Sequence, residues 1–305
     1  MAQKKFIGID VGGTNIKAAL VKNGKILAHL RTPTHAAGGF KSSFDQIRAA
    51  VTAYIDQAAG IGIGIAGLID SRTGVVRYSP NLPGWNNIQL ASMLRNEFLK
   101  PVKILNDVNA FCLGEWQYGA GKGYNNVFLL TLGTGVGGAA VVEGVPLFGA
   151  NGFAGELGHS VIHENGPKCP CGNRGCLERY VGARHLVALA QKKMKGTRSS
   201  LRKHQELSPR LIAQEAKKGD KTAVAVFEEI GYYVGVGISN IIVLFDPDVI
   251  IVSGGVAKAG KVLTDAIKKT VAQRVMGAEF RKFKIIPPRL GDDAGVLGAV
   301  YHASK

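Results

Sequence analysis

Three apolar runs of this chain break at glycine where a strand would have to turn: FIGIDVGGT at residues 6–14, LLTLGTGVGG at 129–138 and IIVSGGV at 250–256. A strand that ends on glycine can bend sharply, and its backbone N–H groups can approach phosphate oxygens with no Cβ in the way. The first two runs lead into a further apolar run, IKAALV and AAVVEG respectively. Each half of the chain therefore opens as strand, glycine turn, strand. Two such halves imply a duplicated α/β architecture with a mixed sheet in each lobe and a cleft where they join.

The remaining pattern fills in that outline. Asn23-Gly24 between apolar runs signals a hairpin, so KKFIGID, IKAALV and KILAHLR form a meander. A helix is expected over FKSSFDQIRAAVTAYIDQAA, then a buried strand at IGIGIAG. The turn-rich LIDSRTGVVRYSPNLPGW holds one short extended piece, and a helix near NIQLASMLRNEFL and a strand at PVKIL follow. The last third reads as mainly helical, with strands at DVIIVSGG and FKIIPPRL and a closing small-residue helix near DAGVLGAVYHA. At 305 residues the chain exceeds what one core usually supports. We expect a small lobe over residues 1–117, completed by a C-terminal helix over 292–305, and a large lobe over 118–291.

No run reaches the roughly 18 to 20 apolar residues a membrane span needs, and MAQKKFIGID lacks an export-type apolar core. The expectation is a cytoplasmic protein with no membrane partner. Net charge is +16, which suits a polyanion, but much of the excess lies in ALAQKKMKGTRSSLRKHQELSPR without interleaved aromatics. That stretch reads as a helix end and a solvated loop, and no nucleic-acid partner is expected.

Two GxGxxG patterns occur, at Gly62-Gly64-Gly67 and Gly133-Gly135-Gly138. A dinucleotide fingerprint must leave a strand and enter a helix, whereas these run into LIDSRTG and a strand. A hairpin clamp on a nucleotide fits better: Asp10, Gly12, Gly13 and Thr14 on one side, Gly133, Thr134 and Gly135 on the other. Asp10 would serve Mg²⁺ through water, and the hydroxyls and amides would serve phosphate.

Three of the four cysteines crowd into GHSVIHENGPKCPCGNRGCLE. His159, Cys169, Cys171 and Cys176 are separated by nine, one and four residues, and make a complete tetrahedral donor set for Zn²⁺. With four protein ligands such a zinc is structural. A redox cysteine pair is the competing reading, and isolated Cys112 is a core residue. The loop is flanked by Glu156 and Glu178, which a fixed loop would aim into one site.

IGIDVGGTNIKAALV, LNDVNA, LTLGTGVGG, GELGH followed by CPCGNRGCLE, and IIVSGG together resemble the repressor, ORF, kinase (ROK) family. That family lies within the sugar kinase, Hsp70 and actin superfamily. The resemblance implies an actin-like ATPase (ribonuclease H-like) fold of two lobes with a central cleft. It also implies an ATP-dependent hexose kinase using Mg²⁺ with ATP, glucose being the first acceptor considered. Mannose, fructose, N-acetylmannosamine and N-acetylglucosamine follow, and the positive charge suggests polyphosphate as another donor. By the same resemblance Asp107 is the general base and Asn106, Glu156, His159 and Glu178 bind the sugar, with Gly67 and Asn81 lining its site. Gly254 and Gly255 lie on the adenosine side. Lys17 stands on a short strand near the first phosphate turn, a position that surface solvation explains equally well. Asp107 could instead cap the helix that begins near Val108. The family also contains sugar-responsive repressors whose helix-turn-helix module precedes the kinase-like part, whereas here the first strand begins within about five residues. A homodimer or homotetramer is implied as well.

Overall fold

The computed structural model describes residues 4–305. The first three positions of MAQKKFIGID, and so of the lobe expected over 1–117, lie outside the described residues. In chain order the elements begin with strands β1 (Phe6–Val11), β2 (Asn15–Lys22) and β3 (Lys25–Pro33), then helix α1 (Gly39–Thr52) and β4 (Ile61–Ile65). Next come β5 (Leu68–Asp70), β6 (Val75–Tyr78), β7 (Asn86–Ile88), α2 (Leu90–Phe98), β8 (Val102–Asn106) and α3 (Asp107–Tyr118). Strands β9 (Val127–Leu132), β10 (Val136–Val142) and β11 (Val145–Pro146) follow, then helices α4 (Glu178–Val181), α5 (Ala183–Lys193), α6 (Pro209–Lys217) and α7 (Lys221–Phe245). The chain ends through β12 (Val249–Ser253), α8 (Lys261–Arg274), β13 (Lys284–Ile286) and α9 (Ala294–Ser304).

The duplication appears in the sheets. One five-stranded sheet runs β3-β2-β1-β4-β8 and another runs β11-β10-β9-β12-β13, the same connectivity repeated. In the first, β1 pairs antiparallel with β2 and parallel with β4, which pairs parallel with β8. In the second, β12 lies parallel to both β9 and β13. These are mixed α/β sheets of the kind the glycine-broken runs imply. Asn23 and Gly24, at the β2-β3 turn, both take positive φ, as a tight hairpin of this hand requires.

The chain forms two compact units. The first reaches Tyr124 and takes in Ala139–Ala154 and Pro288–Lys305; the second comprises Asn125–Gly138 and Gly155–Pro287. In the first, strand alternation divides β1 and β4 between two environments. Ile7, Ile9, Ile61, Ile63 and Ile65 enter a core with Ile47, Val51, Leu90, Leu94 and fully buried Trp85. The opposite face presents Gly8 paired with Gly62, and α9 lies on it. A Cβ on Gly62 would stand 2.0 Å from the Ala299 carbonyl oxygen, and one on Gly8 2.4 Å from that of Val296. Helix α9 meets α3 just as closely, since a Cβ on Gly298 would stand 1.7 Å from the Ala110 carbonyl oxygen.

In the second unit β12 is buried throughout, and α7 packs on α8 through Gly231 and Gly235. Helix α7 has the length and hydropathy of a membrane span, but 67% of its apolar window is buried inside the protein, as suits a core helix.

Two local expectations change. The first helix ends at Thr52, and a short 3-10 turn at Ile55–Gln57 replaces its last stretch. The segment LIDSRTGVVRYSPNLPGW, read as holding one extended piece, contributes to a three-stranded sheet β5-β6-β7. Its strands are too short, and too interrupted by Gly, Pro, Ser and Asn, for alternation to show.

Gly298→Ala should destabilise the first unit by about 3 kcal/mol or more, because the added methyl meets backbone that cannot rotate away. A lowered urea midpoint with unchanged far-UV circular dichroism at zero denaturant is the expected result. An unaltered midpoint would show that α3 and α9 can separate cheaply.

Candidate active site and metal cluster

Strand β8 ends at Asn106 and helix α3 begins at Asp107, so the two side chains sit at a strand-to-helix junction. Asn106 is the cap: its Oδ1 accepts from the backbone N–H of Val108 at 2.8 Å and of Asn109 at 3.3 Å. Its Nδ2 donates to the Gly67 carbonyl at 2.9 Å. Gly67 has φ +133, and a Cβ there would stand 2.2 Å from the Tyr78 carbonyl oxygen, so glycine is required at this turn. The capping role weighed for Asp107 thus falls mainly to its neighbour. Asp107 accepts from Val108 N–H at 3.0 Å, and burial raises its carboxyl above the usual value of 3.8.

Asp10 stands on the helix-facing side of β1, where Gly295 of α9 makes room: a Cβ at Gly295 would lie 3.1 Å from the Asp10 Cγ. Burial is the largest influence on this carboxyl; Lys17 opposes it and Asp107 and Asp292 reinforce it, leaving a pKa of about 6. Lys17 Nζ lies 3.3 Å from Asp292 Oδ2. The sequence reading passed over Asp292, although an acid pair before a small-residue helix is a signal for a charged helix start. It also passed over Glu115, fully buried in α3. Glu115 accepts from the backbone N–H groups of Ala120, Arg289 and Leu290, at 2.8, 3.0 and 2.7 Å, and so fixes the turn leading to Asp292.

The Gly12-Gly13-Thr14 turn is held from beneath by buried Thr34, whose hydroxyl donates to the Gly12 carbonyl at 2.7 Å and whose N–H donates to the Thr14 carbonyl at 2.9 Å. Gly13 abuts Asn81, with 3.2 Å between its hypothetical Cβ and the Asn81 Cβ. Asn81 is exposed at the tip of a loop anchored by Trp85, whose Nε1 donates to Ser43 Oγ at 2.8 Å. The structure therefore gathers Asp10, Gly13, Asn81, Gly67, Asn106 and Asp107 on linked turns of the first unit.

The second unit carries the other predicted residues. Gly133, Thr134 and Gly135 form a tight turn closed by Gly133 N–H donating to the Gly135 carbonyl at 2.9 Å. Glu178, the first residue of α4, accepts from Val136 N–H through Oε2 at 3.0 Å. A Cβ on Gly135 would stand 2.2 Å from that oxygen, so a side chain there would push the Glu178 carboxylate aside. Gly254 takes φ +95 against the Leu132 carbonyl, while Gly255 is exposed beside it. Glu156 is exposed and precedes the short turn Leu157–His159.

His159, Cys169, Cys171 and Cys176 offer donor atoms that all lie within 4.8 Å of one another. Cys169 Sγ is 3.7 Å from His159 Nδ1, and Cys171 Sγ is 3.6 Å from Cys176 Sγ. The redox alternative, which needs a cysteine pair apart from an unrelated histidine, does not describe this group of four. Isolated Cys112 is a core residue, and burial pushes its thiol to about 12.

The ROK family profile matches residues 6–305. The chain belongs to the ROK family. ROK proteins similar to it include a glucokinase of Thermotoga maritima, 35% identical over 98% of this chain and 97% of that protein. The crystal structure of a ROK glucokinase from Streptomyces griseus in complex with glucose and AMPPNP superposes with a TM-score of 0.83 at 33% identity, covering 98% of this chain and 99% of that one. A xylose repressor of Bacillus subtilis is 33% identical over 78% of this chain but 59% of the repressor. The ROK fold is α/β with mixed sheets, in agreement with the actin-like ATPase architecture implied by the sequence.

Asn106→Ala should cost about 1 kcal/mol through the lost cap, read as a reduced urea midpoint. Asn106→Asp, which can still accept from Val108 and Asn109, should recover most of it. Equal loss in both would place the contribution in the Gly67 contact instead.

Proposed function

We propose that this chain is a glucokinase, an ATP-dependent kinase that forms glucose 6-phosphate and ADP from glucose and ATP. The observation that carries the reading is the junction at Asn106-Asp107, where a neighbour satisfies the helix end and leaves a largely buried carboxylate available for proton transfer. It is supported by full-length similarity to ROK glucokinases.

In the reaction, the sugar 6-hydroxyl oxygen attacks the γ-phosphorus of ATP as the bond to the β-phosphate oxygen breaks and ADP departs. Asp107 takes the hydroxyl proton as the new bond forms. Asn106, Glu156, His159, Glu178, Gly67 and Asn81 orient the sugar. The turns at Gly12, Gly13, Thr14 and at Gly133, Thr134, Gly135 hold phosphates, Lys17 adds positive charge near them, and Gly254 and Gly255 serve the adenosine side. Asp10 would hold, through water, the Mg²⁺ that accompanies ATP, and the ion would supply charge neutralisation on the phosphates. The fit is electrostatic: burial and two nearby carboxylates disfavour charge on Asp10, and a divalent cation relieves both.

The His159, Cys169, Cys171 and Cys176 group suits Zn²⁺ by donor type, number and mutual spacing. It has a structural role, bracing the loop between Glu156 and Glu178. With Nδ1 turned toward Cys169, the other ring nitrogen of His159 is left for the sugar. We further propose a cytoplasmic homodimer or homotetramer acting at the entry to sugar breakdown. Glucose is chosen over mannose, fructose and the N-acetylhexosamines because full-length relatives at 32–36% identity are glucokinases.

Asp107→Asn should lower kcat by roughly 10²-fold or more with KM values for glucose and ATP little changed; near-normal turnover would remove Asp107 from the chemistry. In the wild type, turnover needs the ionised carboxylate, whose pKa is raised by burial. The acid limb of kcat/KM should therefore lie above pH 3.8, with activity present above the limb and lost as pH falls through it.

Purified protein should contain zinc by elemental analysis, and Cys176→Ser should lose it. The same substitution should raise the glucose KM by about tenfold or more with a smaller change for ATP. Zinc-free wild-type protein with normal glucose affinity would contradict the bracing role.

A further inference from the structure

Away from the proposed reaction site, the first unit has a groove of about 710 Å³ whose walls are basic. Arg72 enters from the β5-β6 turn, Arg95 from the end of α2, and Lys100 and Lys103 from the approach to β8 and the strand itself. His302 of α9 closes one side. Among the described residues that line the groove, none is acidic. The volume falls within the roughly 300–1,000 Å³ of ordinary small-molecule sites. Lys103 precedes Asp107 by four residues of largely extended chain, about 13 Å, so the groove opens toward the other end of β8.

Some cations elsewhere on the surface meet a carboxylate, as Arg48 meets Glu97 and Lys193 meets Glu229; what marks the groove is that four cations line one concavity with no acid among its lining residues. Arg95, Lys100 and Lys103 are in no ion pair found in the structure, and Arg72 donates to the Ala150 carbonyl while keeping other N–H groups. The positive potential is registered by His302. Its imidazole packs edge-on against Phe148, its Nε2 is buried without a hydrogen-bond partner, and burial followed by the charge of Lys103 depresses its pKa to about 4. At the rim Leu99 is 85% exposed in a left-handed conformation, φ 53, which holds an apolar side chain beside the cations at a backbone cost.

We propose that this groove binds a small phosphate-bearing anion, its oxygens taken by Arg95, Lys100, Lys103 and the free N–H groups of Arg72. Guanidinium and ammonium groups gathered without acids favour multiply charged oxyanions over neutral or singly charged ligands. The chemistry is shared by an inorganic phosphate chain and by a phosphorylated sugar. For the sugar, Leu99 supplies an apolar edge. Neither Gly12 nor Gly133 lines the groove, and the inference does not rest on the kinase reading.

The test is calorimetry on the full chain with AMPPNP and glucose at saturation, titrating inorganic tripolyphosphate in one arm and glucose 6-phosphate in another. Binding in either arm is expected, and which arm is tighter identifies the source. Arg95→Ala/Lys103→Ala should weaken it by tenfold or more while leaving basal kcat and both KM values unchanged. Lys268→Ala/Lys269→Ala, which removes the same charge from exposed positions on α8, should not weaken it. In the wild type the His302 ring resonances should move on saturation with the tighter ligand, since an anion beside Lys103 changes the imidazole's field. No binding in either arm, equal weakening by the two double variants, or unmoved His302 resonances would each overturn the proposal. Loss of basal turnover would be a finding about the reaction site and leaves these readouts intact.

Discussion

Backbone-to-backbone contact between α9 and the glycine face of β1 and β4 is the constraint on which the first unit depends. Gly8 and Gly62 sit side by side across the two strands and leave no side chain under the helix. Gly114 and Gly298 repeat the device between α3 and α9. Such contacts leave each helix little freedom to slide, because any Cβ or shift meets carbonyl oxygen. Asp10 lies on the same strand face as Gly8, two residues on, and Asp107 is the first residue of α3. The packing that removes side chains from the sheet thereby also sets the height of both carboxylates.

The charges around those carboxylates are arranged through neutral and charged intermediaries. Asn106 satisfies the end of α3 with an uncharged amide, so the helix end makes a limited claim on Asp107. Glu115 is spent entirely on backbone N–H groups, which fixes the segment that presents Asp292 to Lys17. Lys17 offsets part of the penalty that burial and two neighbouring carboxylates impose on Asp10. Removing Glu115 would leave three backbone donors without a partner, a larger disturbance than the loss of one surface acid.

Much of this was legible in the sequence, for reasons that can be named. Glycine-terminated apolar runs announced the duplicated sheets because backbone conformation dictates those residues locally. The histidine and three cysteines announced a cluster because few other arrangements require that spacing. Strands β5 to β7 were not legible, since three or four residues cannot establish a period. The glycines at 62 and 64 carry a meaning that letters do not: they resemble a nucleotide fingerprint, yet Gly62 receives the Ala299 carbonyl and Gly64 the Ala110 methyl. The division of labour between Asn106 and Asp107 was also hidden, because both residue types cap helices and the choice depends on rotamers fixed by Gly67. Asp292 acts on Lys17, and Glu115 on Arg289 and Leu290, across more than a hundred residues of sequence, which no local pattern reports.

A last link concerns the second unit, where the cysteine loop and the glycine turn share a short stretch of chain. Cys176 belongs to the donor group, and Glu178, two residues later, accepts from Val136 N–H at the exit of the Gly133-Thr134-Gly135 turn. Ala183 N–H donates to the Gly133 carbonyl at 2.9 Å from the start of α5. Whatever fixes Cys176 therefore restrains Glu178, and Glu178 restrains the turn. An alanine at Gly135 would displace the carboxylate from Val136 N–H. A metal held by the four donors would then stiffen the Gly133-Thr134-Gly135 turn without touching it, through the Glu178 carboxylate.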